Sequence, residues 1–480
     1  MIASKLVQIF SSLTENEIGR FQDFVASPFF NKKQEIIAFA SYFKGIYPDF
    51  NPENMDKKVV YSHLFPNKAY NEKKLGYLMS DTTKALRAFI TEIELHKENK
   101  SLYLAKSLLD RNLDKLFNKE IQSIGKQNDE SHLKGVEFFF ENYRFYEAKH
   151  LYFEKLNIRK EDKNIHEASL YLDYFYAVKK LRHISELINR AQVLGKEVNF
   201  AKFSPFIEKV KVEYADIDIF KAYLQMIEMQ TKKDSLDGYI NLKKIITNPA
   251  VTIPKKELND FYKYAVNYCI RRIKLDKDFY QNEALQLYID NLKLGNLYLM
   301  GHLSQWTFKN IIKLGILCKK YDWTATFIEE YIDKIDPTQK NNAFHFNYAE
   351  IHFAKNELDE AQTHLLKVEF KEQELAYNLG TRLMLIKIFY EQEEEEALLS
   401  QVAAFTIFLK RNRELKGARK DQFLNFCNIL NKIMRKKPKH LAKIHEEIKN
   451  THPLTNSQWL MKVFHQVYSE VMKKDYIAEA

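Results

Sequence analysis

The stretch AFHFNYAEIHFAKNELDEAQTHLLKVEFKEQELAYNLGTRLMLIKIFYEQEEEEALLSQVAAFTIFLK, residues 343–410, decides how this chain folds. Phe346, Ala349, Phe353 and Ala354 recur at helical spacing, and Leu358, Ala361, Leu365 and Val368 do so again directly afterwards. Side chains three and four residues apart share one face of an α-helix, so each set predicts a helix with one buried side. Only Asn356-Glu357 separates the two sets, which leaves room for a tight turn and nothing more. Helices joined so closely pack antiparallel. Leu379–Tyr390 and Glu395–Leu409 repeat the arrangement. A repeat length in the mid-thirties is used by helix–turn–helix solenoids.

Composition points the same way. The 480 residues include 12 glycines and 10 prolines, few against average usages of about 7% and 5%. Sheets and phosphate-cradling loops both lean on glycine, so the deficit indicates an all-α protein. The chain is too long for a single core. Its 45% hydrophobic content excludes wholesale disorder. Cys269, Cys318 and Cys427 lie far apart with no CxxC, which predicts a reducing compartment and neither a disulfide frame nor a cysteine-based zinc site. The opening MIASKLVQIFSSLTENE lacks the uninterrupted apolar core of a signal peptide. The most apolar run, Ala397–Leu409, is interrupted by Ser400, Gln401 and Thr406 and is too short to span a bilayer. It reads as a buried helix, so a soluble, cytoplasmic protein without membrane insertion is expected.

The run Asn356-Glu357-Leu358-Asp359-Glu360-Ala361, with small Ala349 on the preceding helix, resembles the tetratricopeptide repeat. The resemblance implies that Ala349 and Ala361 pack against each other and let two backbones approach, with Leu365 and Val368 at apolar positions further on. His345 and His352 depart from the large aromatics favoured in that family. In the next copy Leu385 stands where a small residue is expected, with Ala397 in place. Leu314-Gly315 and Trp323–Ile335, closed by Pro337, read as an earlier copy. The expected fold is thus all-α, a right-handed α-solenoid of tetratricopeptide-like hairpins. Its sections are an N-terminal helical capping domain (1–100), degenerate helical repeats (101–300), tetratricopeptide-like repeats (301–412) and basic C-terminal helices that cap the array (413–480). In that family the inner surface binds extended peptides or helices. The resemblance implies partner-binding roles for Phe346, Glu350 and Phe353 of one repeat and Arg382, Ile386 and Phe389 of the next. A protein–protein interaction scaffold is the function expected.

Elsewhere the chain reads as helices from end to end. Thr14-Glu15-Asn16-Glu17 is a capping-box pattern opening a helix to Ala26, which Ser27-Pro28 ends. Helices are predicted over Lys32–Ile46, Asn54–Leu64 and Asn71–Lys97. The connection from Phe65 to Asn71 is longer than that of a DNA-reading helix-turn-helix. Phe138, Phe139, Phe140 and Tyr143, and then Tyr171, Tyr174 and Phe175, make two helices unusually aromatic; such stripes read as core packing between neighbours. Between 164 and 194 two helices are expected, Asn164–Lys180 and Ile184–Leu194. One long helix is expected from Ser204 to Gln230, then Lys255–Ile273 and Phe279–Leu292.

Catalytic chemistry has no foothold in the pattern. There is no GxGxxG, no GxxxxGK[ST] and no HExxH. His345 and His352 are two turns apart on one face, about 10 Å by helix rise, too far for one metal. With His364 on the following helix they read as packed histidines. Neither an enzyme nor a cofactor is expected. The net charge of +10 suggests attraction to polyanions, although AT-rich codons produce the same lysine-rich, asparagine-rich composition. Cations crowd after 410, among them Arg411, Arg413, Lys416, Arg419, Arg435, Lys436 and Lys437. Two readings stand. Either the 410–449 region binds phosphate in a nucleic-acid-associated protein, or it is the solvated face of terminal helices, ending in a capping helix over Ser457–Lys473.

Overall fold

The computed structural model describes residues 1–97, 100–196, 198–232, 236–299, 301–370, 374–435 and 438–479. Among them the chain is predominantly helical, with twenty-three α-helices. It divides into two compact units, Met1–Lys179 and Lys180–Ala480, and the division falls inside one helix, α9.

The first unit begins with α1 (Lys5–Phe10), α2 (Glu15–Ala26), α3 (Gln34–Ile46), α4 (Lys57–Leu64) and α5 (Glu72–Lys97). The expected capping box opens α2: Glu17 N–H donates to Thr14 Oγ1 at 3.3 Å and Thr14 N–H donates to Glu17 Oε2 at 2.8 Å. These five helices close on one core, where Phe10 stacks on Phe43 at 4.3 Å and meets Phe21 edge-on at 5.4 Å. α6 (Lys100–Asp110), α7 (Asp114–Asp129), α8 (Val136–Lys155) and α9 (Lys163–Val193) follow. The two aromatic stripes face each other across α8 and α9. Phe139 lies 5.3 Å from Tyr174, Phe140 4.9 Å from Phe175, and Tyr146 stacks on Tyr171 at 5.5 Å. Burial pushes the Tyr171 phenol up to about 12.

The second unit continues from α9 through α10 (Ser204–Glu213), α11 (Asp218–Thr231), α12 (Asp237–Ile246), α13 (Lys255–Arg272) and α14 (Lys277–Lys293). Two expectations are corrected here. Residues 181–183 are helical, so α9 runs unbroken where two helices were expected; the stretch has neither glycine nor proline, and Leu181 and Ile184 are both fully buried. The single helix expected from Ser204 to Gln230 is two. Asp218 at the start of α11 accepts hydrogen bonds from the N–H (3.2 Å) and hydroxyl (3.1 Å) of Thr252, which anchors α11 separately from α10. A two-stranded antiparallel hairpin, β1 (Tyr298–Leu299) and β2 (His302–Leu303), turns through Gly301 at φ +83°.

Then come three helical hairpins: α15 (Gln305–Leu317) with α16 (Tyr321–Tyr331), α17 (Lys340–Ala354) with α18 (Leu358–Leu365), and α19 (Leu375–Glu391) with α20 (Glu395–Arg411). All four helices expected in 343–410 are present. Each hairpin turns the same way. Lys319, Asn356 and Glu393 take φ of +57°, +64° and +61°, a constant step of 37 residues. One residue further on, the N–H of Lys320, Glu357 and Glu394 donates to the carbonyl of Gly315, His352 and Phe389, each at 2.9 Å. That is the Schellman way of closing a helix. The first helices of successive hairpins pack side by side, α15 on α17 and α17 on α19. The chain closes with α21 (Ala418–Met434), α22 (Pro438–Asn450) and α23 (Ser457–Glu479). Phe405 and Leu409 of α20 share one core with Phe426 and Leu430 of α21, Leu441 of α22, and Val463 and Phe464 of α23.

Candidate interaction groove

The 37-residue step carries more than the turns. It aligns Lys309, Phe346 and Leu383; Lys313, Glu350 and Lys387; and Ile316, Phe353 and Tyr390. The first eight of these residues, all but Tyr390, line one cavity of about 480 Å³ on α15, α17 and α19. Its floor is apolar. Phe346 is buried, and a Cβ at Gly380 would stand 2.7 Å from its ring, so glycine at that position is what lets α19 come so close to α17.

The walls are charged and incompletely satisfied. Lys309 is half-buried, with its ammonium 4.4 Å from the Phe346 centroid. Burial lowers its pKa, opposed by the Glu350 carboxylate. Lys387 is likewise lowered by burial, and its ammonium donates to Asn456 Oδ1 at 2.6 Å. Burial raises the Glu350 carboxyl, while Lys309, Lys313 and Lys387 pull it back. Glu350 Oε2 is buried and has no hydrogen-bond partner among the described residues. Lys309, Lys313 and Lys387 are thus the basic neighbours of Glu350, three lysines to one carboxyl, and its Oε2 acceptor is still open.

Of the six residues expected to bind a partner, Phe346, Glu350 and Phe353 meet here. Arg382, Ile386 and Phe389 do not. Ile386 is fully buried in the C-terminal core. Phe389 lines a different cavity, with Leu398 and Val467. Arg382 lies against Phe370 and Phe408. That triple assumed a step of 36 residues, and one residue turns a helical side chain by about 100°. The same shift affects the small-residue pair. Ala349 and Ala361 are both fully buried, but their counterparts one step on are Ile386 and Leu398, not Leu385 and Ala397. Lys309, Lys313 and Lys387 were missed; the signal that finds them is the spacing of the three turns.

His345 and His364 come together across α17 and α18, Nδ1 to Nδ1 at 3.1 Å, and His352 Nδ1 lies 2.6 Å from Glu357 Oε2. Tyr348 stacks on His364 at 5.3 Å. Among the described residues no group of three or more His, Cys, Asp or Glu could hold a metal ion. In the basic region Arg411, Arg413, Lys416, Arg419 and Arg435 are exposed. Lys420 instead caps α20 by donating to the carbonyls of Lys410 (3.2 Å) and Asn412 (3.3 Å), and Lys432 pairs with Glu447 at 2.6 Å. Lys436 and Lys437 lie outside the described residues. Among the described residues no helix is long and apolar enough to cross a membrane.

The fold and groove define an all-helical protein with a charged cavity across three consecutive hairpins. Compared with known proteins, the chain matches no family model, no curated protein and no solved structure.

Proposed function

We propose that this protein is an interaction scaffold, an α-solenoid of tetratricopeptide-like hairpins whose groove on α15, α17 and α19 holds an extended segment of a partner protein. One observation carries the reading: residues at two equivalent positions of three successive hairpins, and at a third position of the first two, line a single cavity. Stacked repeats that each contact only their neighbours present such a continuous surface. The chemistry suits a peptide. Phe346, Phe353 and Leu383 offer apolar area, and the lysines can take carbonyls or carboxylates. The open Glu350 Oε2 can accept a backbone N–H.

The test is affinity capture with the wild-type chain and with the Lys313→Glu, Lys387→Glu double variant, both checked for helicity by circular dichroism. The reading requires a directly bound protein that the wild type retains and the equally helical variant loses. An identical set of bound proteins would overturn it.

A further inference from the structure

Arg382, which the register shift carries out of the groove, sits in an unusual setting on α19. Its guanidinium carbon is 4.5 Å from the Phe370 ring centroid and 4.7 Å from that of Phe408. The two rings fix the group in place and leave its remaining N–H edge for recognition. Its Nε is buried and has no hydrogen-bond partner among the described residues. No carboxylate of the described residues forms an ion pair with it. Burial lowers its pKa, with no negative charge of the described residues acting in opposition. A cation drawn from water without a counter-ion is costly, and so is an unmet N–H. A fold that needed only packing here would be served by methionine or leucine.

Arg382 opens on a cavity of about 550 Å³ whose other lining residues include Ile407, Arg411 and Asn412, with no acidic residue among them. Arg411 is exposed and supplies a second guanidinium. The chain runs on into exposed Arg413, Lys416 and Arg419, so the surroundings are cationic. The anion is further narrowed by the apolar residues. Ile407 is 51% exposed and Phe370 53% exposed beside the guanidinium. A nucleic-acid backbone brings no aliphatic group to cover an exposed isoleucine, whereas a protein segment brings both a carboxylate and an apolar neighbour. A planar carboxylate also matches the guanidinium fork.

We propose that this cavity, formed by α19 and α20, is a second docking site, where Arg382 and Arg411 grip a carboxylate side chain of an acidic protein segment and Ile407 and Phe370 cover an adjacent apolar residue. The site is separate from the groove and does not depend on it.

Fluorescence anisotropy with the full-length chain tests it. The probes are a labelled peptide of alternating glutamate and leucine, its glutamine–leucine counterpart, and an oligouridylate of matching charge. The glutamate peptide binds the wild type, and binding weakens at least tenfold in Arg382→Met, in Arg411→Gln and with the glutamine peptide. Arg382→Met also melts no lower than the wild type, because an unpaired half-buried cation has gone. If that variant melts lower, Arg411→Gln, whose side chain is exposed, decides the matter alone. Absence of peptide binding, equal binding of the glutamine peptide, a preference for oligouridylate, or undiminished binding by Arg411→Gln would each overturn the proposal.

Discussion

At the residue scale, the contact that brings two helices together is sharpest at Gly315. A Cβ built there would lie 2.3 Å from Thr324 Oγ1 and 3.2 Å from the Trp323 ring. Thr324 is fully buried and its hydroxyl donates to the Lys320 carbonyl at 2.7 Å, so it cannot simply swing aside. Alanine is the better helix former, by about 1 kcal/mol, yet overpacking costs about 1–3 kcal/mol. Gly315→Ala is therefore expected to destabilise the chain in chemical denaturation. In a Thr324→Ala background, where the crowding hydroxyl is gone, the same change should cost less than half as much. Equal costs in the two backgrounds would contradict the close approach. The small residue at this point was visible in the sequence. Its partner was not, because the pairing depends on a register that helical periodicity leaves open.

At the scale of elements, α17 and α18 meet through histidines. Burial and then the neighbouring His345, His352 and Lys367 together lower the pKa of His364 to about 4. His345 is lowered as well, by burial and then Lys367. A histidine with an ordinary pKa of 6.5 when unfolded and about 4 when folded favours the fold above pH 6.5 and withdraws that support as the pH falls toward 4. The thermal midpoint is thus expected to fall between pH 7.5 and 5, and to fall less in His364→Gln; an equal drop would remove the histidines from the account. Packed histidines were legible from spacing, but the contact between His345 and His364 was not, since it joins different helices. The off-by-one register has a similar origin. Helical phase is not carried across the turns between helices, so periodicity within one helix leaves the step to the next hairpin open by a residue. The Schellman turns set the true step at 37.

At the scale of the whole molecule, the scarcity of glycine and the capping pattern at Thr14 made the all-helical fold readable before any coordinates. Phe346, Glu350 and Phe353 were named together by the tetratricopeptide resemblance, and spacings of four and three residues put them on one helix face. The lysines that complete the groove come from helices before and after, and nothing in a single amphipathic pattern marks them. The groove rests on the 37-residue step, which places 313, 350 and 387 in one cavity. Cross-linking tests this directly. In a Cys318→Ser background, where only buried Cys269 and Cys427 remain, cysteines are placed in pairs at 313 and 350, 350 and 387, or 353 and 389, and treated with a short bismaleimide. The first two pairs should link rapidly and the third slowly or not at all. Linking of 353 to 389, the pair that a 36-residue step would bring together, as fast as 350 to 387 would contradict the register and, with it, the groove.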